Sequence, residues 1–381
     1  MALSAFYAGG FSSAAVYHGQ MTKHRDNSVS VLTAHAIIGQ ITAKGWPNGE
    51  CIGSEQELMR RHGIGQASLR EAARILEVQG IAAMYRGKGL VVASEPRSAA
   101  IRTLSIYIGL LGISVGDILE IRGVLGKLMT RLATQRLTSA ENESIKQNLE
   151  RMKQANNLER MIIYSALGRM VREATKNPLL AILEGSIEDF LPPETRFIES
   201  IRHYDSIVSG IKAITEGHDT SQSHISEVAL REFKHGKQRL ATRRPFHGES
   251  DVPHEKLAMI IASAIAMDIT LADMKPGERL GIEASLASYY GVARATLRGS
   301  IKILSLHGRV KVQRGIRGGL AVDSLSPEFT FGLTNECMSQ MNIDRSCATE
   351  VLDAFEDTSS DKNLIRNLFL DMIKSYLRFT S

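Results

Sequence analysis

The chain repeats itself, and that repeat limits its possible folds more than any other feature. Shifted by 228 positions, Gly49-Glu50 falls on Gly277-Glu278, Gly53 on Gly281, Glu55 on Glu283 and Leu58 on Leu286. Gly63 then meets Gly291, Ala67 meets Ala295, Leu69-Arg70 meets Leu297-Arg298, Leu76 meets Leu304 and Gly80 meets Gly308. Arg86-Gly87 ends on Arg314-Gly315, with no gap over the whole span. The matches fall at apolar, glycine and arginine positions, where a packed core, a turn or a polyanion contact restricts the choice of residue. The chain must therefore build one small unit twice.

Each copy has the same local pattern. Leu32 to Lys44 carries an apolar helical stripe of Leu32, Ile37, Ile38 and Ile41. Trp46-Pro47-Asn48-Gly49 breaks it. Ser54 is a good N-cap for a helix through Leu58 to His62, which Gly63 ends. A third helix runs from Gln66 to Gln79, and Ile81–Tyr85 and Leu90–Val92 form strands around the tip Arg86-Gly87-Lys88-Gly89. The second copy repeats this as Glu255–Met267, Ile282–Tyr290 and Arg294–Leu306, with the tip Arg314 to Gly319 one residue longer. Helix, helix, turn, helix and basic hairpin is the order of a winged helix-turn-helix. Such a fold presents polar and cationic side chains from the first turns of its third helix, here Gln66, Ser68 and Arg70, and Arg294, Thr296 and Arg298. Its wing offers Arg or Lys to phosphate and Gly for close approach: Arg86, Gly87 and Lys88, and Arg314, Gly315 and Arg317. The partner these residue types suit is double-stranded DNA.

Ile52 to Leu58, Ile64 to Ala72, Leu76 to Gly80 and Arg86 to Gly89 resemble the DNA-binding domain of the GntR family of bacterial repressors. The resemblance implies DNA contacts at Arg70, Arg86, Gly87 and Lys88. Members of that family dimerise, which implies two half-sites about one DNA turn apart. This chain departs from the pattern at Gln56 and Gln66, where the family has arginine, and at Gly299, where it has glutamate.

Between the copies, Ala99 to Arg244 reads as a string of helices resembling the effector domain of the FadR subgroup. Asp117 to Arg122 matches the opening of its first helix, and Glu173 to Leu180 its alanine-threonine-glycine-asparagine-proline turn. The resemblance implies a small-molecule effector in a helical bundle, with Arg122 meeting a ligand carboxylate, closing an interhelical salt bridge or lying exposed. The aspartate and histidine that hold a metal in many members fall on Tyr164 and Gly168, so no metal is expected. The expected domains are a disordered arm over 1–27, the first winged helix over 28–95, the effector-like bundle over 99–240 and a linker over 241–253. The second winged helix follows over 254–323, then C-terminal helices over 326–381 that resemble a second effector segment cut short.

Composition narrows the class further. With 46 Lys+Arg against 41 Asp+Glu, the net charge is +5, which suits an anionic partner. Counted separately, residues 28–95 hold seven basic and six acidic residues and residues 254–323 hold ten and six, so the second copy should attract phosphate more strongly. Three scattered cysteines fit a reducing cytosol, and no apolar run reaches the ~20 residues that span a bilayer. No nucleophile elbow, phosphate-binding loop, His-Glu-x-x-His or paired-Cys motif is found, so neither an enzyme nor a cofactor is expected. The expectation is a mainly α protein with small β wings, two winged helices and a helical bundle. It would act in the cytoplasm as a transcription regulator and repressor, one chain forming a pseudo-dimer or two chains a homodimer. The alternative is a winged-helix scaffold that contacts protein.

Overall fold

A computed structural model describes residues 29–113, 115–188, 190, 204–217, 254–313, 319–356 and 363–380. The expected arm, the linker and the tip of the second wing lie outside these residues. Among the described residues, the protein is mainly helical with two small antiparallel sheets. It divides into two compact units, one of residues 1–112 and 242–342 and one of residues 113–241 and 343–381. Among the described residues, no helix is long and apolar enough to cross a membrane.

The first unit holds both copies of the repeat. In the first, α1 (Val29–Ala43), β1 (Cys51–Gly53), α2 (Glu55–His62), α3 (Gln66–Val78), β2 (Ala82–Tyr85) and β3 (Gly89–Val92) are followed by α4 (Pro96–Leu110). In the second, α10 (His254–Leu271), β4 (Arg279–Gly281), α11 (Glu283–Tyr289), α12 (Arg294–Leu306), β5 (Val310–Gln313) and β6 (Gly319–Val322) are followed by α13 (Glu328–Gln340). The strand orders are β1-β3-β2 and β4-β6-β5, and both first strands shift register midway. Gly63 and Gly291 both adopt left-handed backbone at the turn before the third helix (φ 61° and 64°), which explains why the repeat keeps glycine there. Gly89 and Gly319 also share a reason. A Cβ on Gly89 would overlap the carbonyl oxygen of Gly53, and one on Gly319 would sit 2.6 Å from that of Gly281.

The wings differ by more than the sequence suggested. Tyr85 pairs with Gly89 across three tip residues, whereas Gln313 pairs with Gly319 across five. The second tip is therefore two residues longer, not one: Arg314 to Gly319 is six residues where Arg86 to Gly89 is four.

The helices after the wings cross over. Helix α4, which follows the first copy, packs on α10 of the second. Its Ile106 and Leu110 lie in one apolar cluster with Ala258, Ile261, Ala262 and Ile265. Helix α13 in turn packs on α1, where Phe329 meets His35 edge to face at 4.9 Å, and α4 and α13 pack on each other. Both helices thus belong to the first unit, and the expected boundaries at 99 and 326 fall in or near elements that complete the repeat's core. Where the copies meet, Gln79 and His307, repeat equivalents, are both fully buried and face each other, with Gln79 Nε2 3.5 Å from His307 Nε2. The Thr103 hydroxyl donates to Gln79 Oε1 at 3.0 Å, and His307 Nδ1 lies 3.1 Å from Thr330 Oγ1.

The second unit contains α5 (Val115–Arg136), α6 (Ser139–Gln154), α7 (Asn157–Ala174), α8 (Pro178–Glu188) and α9 (Tyr204–Thr215), joined by α14 (Arg345–Glu356) and α15 (Leu364–Phe379). Capping boxes at Thr138/Glu141 and Asn156/Glu159 start α6 and α7. Lys176 stands where the family's turn has glycine. It holds φ at 53° and its ammonium pairs with Glu141. Buried Asn177 next to it donates to the Cys347 carbonyl (2.9 Å) and to Glu350 (3.0 Å), while Arg136 reaches Glu350 from α5. These bonds tie α14 to the turn.

Two outcomes test this packing. Gly89→Ala should lower unfolding stability by about 2–4 kcal/mol in urea melts, through strained backbone and overlap with β1. His307, held near pKa 3 by burial, is neutral when folded and protonates near 6.5 when unfolded. Its contribution is complete above pH 6.5 and is lost as pH falls towards 3, at up to ~1.4 kcal/mol per pH unit. In His307→Gln, urea melts between pH 7 and 5 should show a shallower decline than in the parent chain.

Candidate nucleic-acid interface

The third helix of each copy exposes its first turns because its apolar residues sit on the opposite side. In α3 these are Leu69, Ala72, Ala73 and Leu76, and in α12 they are Leu297, Ile301 and Leu304. Gln66, Arg70, Arg294 and Arg298 are exposed, and Ser68 is half-buried. Thr296 departs from expectation: its side chain is 2% exposed and is not available to a base. In the second copy the first helix comes closer. A Cβ on Gly299 would lie 3.0 Å from that of Ala258, and Ser300 donates to the Ala258 carbonyl at 2.8 Å, so the flank bearing Thr296 is covered.

Both exposed arginines are held in the same way. Arg70 Nε lies 3.1 Å from Glu55 Oε1, and Arg298 Nε lies 2.7 Å from Glu283 Oε1. The two pairs are repeat equivalents. Each glutamate sits in the first turn of the preceding helix and holds the inner nitrogen, which leaves the outer face of the guanidinium for a bidentate acceptor. Glu55 also accepts from Gln66 at 3.1 Å, a bond that Arg294 has no counterpart for among the described residues. Glu55 and Glu283 fall on each other in the repeat, each fifteen residues before its arginine. Their equal spacing to the two arginines was the available signal.

In the first wing, Arg86, Gly87 and Lys88 are all exposed, next to a half-exposed Tyr85. Arg314, Gly315 and Arg317 lie outside the described residues. The greater phosphate attraction expected of the second copy is reduced by internal pairing. Lys275 pairs with Asp273, Lys302 with Glu71 and Lys311 with Asp323. Arg309 donates to Thr270 and to the Ala266 carbonyl near the end of α10. In the second unit, Arg122 is half-buried on α5, Tyr164 packs at the edge of the apolar cluster around Ile163 and Leu167, and Gly168 is exposed.

Comparison with known proteins adds the following. The FCD domain family matches residues 117–213. An uncharacterised HTH-type transcriptional regulator of Mycobacterium tuberculosis is 28% identical over 165 residues, 43% of this chain and 66% of that protein. The Mycobacterium gastri protein RmpR, named among HTH-type transcriptional regulators, is 37% identical over 92 residues, 23% of this chain and 34% of its own length. The chain thus spans two thirds or less of each of these relatives. A solved structure of Streptococcus agalactiae GntR aligns over 54% of this chain and all of its own at 17% identity, with a TM-score of 0.36.

The glutamate–arginine pairs can be tested directly. In Glu55→Gln and Glu283→Gln, the Nε–H signal of the matching arginine should lose its protection from solvent exchange by NMR while the other copy's signal stays unchanged. Retained protection would mean that the glutamate does not hold the guanidinium.

Proposed function

We propose that this chain is a DNA-binding transcription regulator, a repressor, whose two winged helix-turn-helix modules form a pseudo-dimer within one chain. The observation that carries this reading is the pair of matching Arg–Glu arrangements, Arg70 with Glu55 and Arg298 with Glu283, on exposed helix starts whose other ends meet at Gln79 and His307. Arg86 and Lys88 of the first wing add phosphate contacts. The names of the mycobacterial relatives support the same class of function. The FCD match supports control by a small molecule bound in the second unit.

The spacing of the half-sites in this reading differs from one DNA turn. The ion pair between Lys302 and Glu71 holds their Cα atoms within about 12 Å, given the reach of the two side chains. Arg70 adjoins Glu71, and Arg298 lies one helical turn, ~6 Å, from Lys302. The Cα atoms of the two arginines are then within about 22 Å of each other, short of the ~34 Å of a DNA turn. The operator is therefore compact and, because Gln66 stands where the other copy has Arg294, imperfectly palindromic.

Selection from random duplexes at two salt concentrations tests this. The expected motif has two unlike halves centred less than one turn apart. Arg70→Ala and Arg298→Ala should each cost ~1–3 kcal/mol, about 5- to 150-fold, and relax the bases of one half only. Absence of an enriched motif, or indifference to both substitutions, would sink the reading and favour a scaffold that contacts protein.

A further inference from the structure

The two copies meet through contacts that symmetry would make twice, and one of them is made only once. Glu71 on α3 pairs with Lys302 on α12. The mirror contact would join the repeat equivalents of these residues, Gly299 and Arg74. Gly299 has no carboxylate to give, because α12 lies too close to Ala258 of α10 for a larger residue to fit without displacement. Arg74 is exposed and has no ion-pair or hydrogen-bond partner among the described residues.

A cavity occupies the place of the missing side chain. It measures about 280 Å³ and lies between α3 and α12, lined by Arg74, Ile75 and Val78 on one side and by Gly299, Ile303 and Leu306 on the other. Lys302 also borders it but is already neutralised by Glu71. Glu77 borders it as well and is engaged in an interaction of its own. At roughly 30 Å³ for each water of liquid, the space corresponds to about nine waters, enough for an acid of about ten non-hydrogen atoms. The lining is mostly apolar with one unpaired cation at its edge, the arrangement of a small-ligand site with a single orienting charge.

We infer that this cavity binds a small monocarboxylic acid with an apolar body, its carboxylate paired with Arg74 in the position of the glutamate that the second copy lacks. The acid fills the space against Ile75, Val78, Ile303 and Leu306 and joins α3 to α12, completing the contact that Glu71 and Lys302 make on the other side. This site is separate from the helical unit matched by the FCD family, and it does not depend on DNA binding.

Titration calorimetry on the full chain without DNA tests the inference. The probes are hexanoate, benzoate and 3-phenylpropionate, with their neutral amides and inorganic phosphate as controls. At least one acid should bind at least tenfold more tightly than its amide and than phosphate. Arg74→Ala should weaken that acid at least tenfold. Gly299→Glu, which returns the carboxylate to the cavity, should abolish binding, whereas Gly299→Ala, with the same crowding of Ala258 but no charge, should retain it. Arg74 is at the surface, so its substitution reports on the site even where a change at Gly299 disturbs folding. No binding of any acid, binding that survives Arg74→Ala, or equal binding of phosphate would each overturn the inference.

Discussion

The first unit depends on burying the same end of the same helix twice, face to face. Gln79 and His307 are polar and fully enclosed, so each needs a partner, and they supply one another with the help of Thr103 and Thr330. A neutral imidazole meets this demand with one donor and one acceptor nitrogen, and burial keeps it neutral. Around this contact the packing is reciprocal: α4 closes the core of the second copy and α13 rests on the first. Neither copy is a complete hydrophobic unit by itself, since Ile106 and Leu110 of one belong to the apolar cluster of the other. The joining of two domains in one chain is thus built into the core.

Within that frame the copies have diverged where symmetry is not needed. The first keeps a capping box at Ser54 and Glu57, worth about 1 kcal/mol in comparable helices, while the second starts α11 from Ile282 with no side-chain cap. The second brings its first and third helices closer through Gly299, and that approach covers Thr296 and removes the equivalent of Glu71. A closer helix pair, a lost base contact and an unpaired arginine therefore share one cause.

Much of this was legible in the sequence because a repeat supplies its own alignment. The third helices fall at Gln66–Val78 and Arg294–Leu306, within a residue of the ranges read from periodicity, and the glycines of the turns sit where φ must be positive. What could not be read were the relations between copies. Nothing in the apolar pattern of Pro96–Leu110 says that it packs on a helix about 150 residues later, so the pattern alone groups it with the helices that follow. Thr296 looked like its neighbours Arg294 and Arg298, and its burial follows from how closely α10 approaches, a distance with no local signature.

Charge counting shows the same limit and bears on how the two copies divide their work. By composition the second copy has the larger basic excess, yet Lys275, Lys302, Lys311 and Arg309 are engaged within the protein. The cations of the first copy are fewer but more available: Arg74, Arg86 and Lys88 are exposed, and Arg60 is exposed as well. Phosphate attraction follows the charges that remain free to release counterions, not the total. On the described surface, the excess of the second copy over the first is therefore smaller than its composition implies. The matched arginines, each held by a glutamate at a fixed spacing, contribute orientation, which a formal net charge does not record.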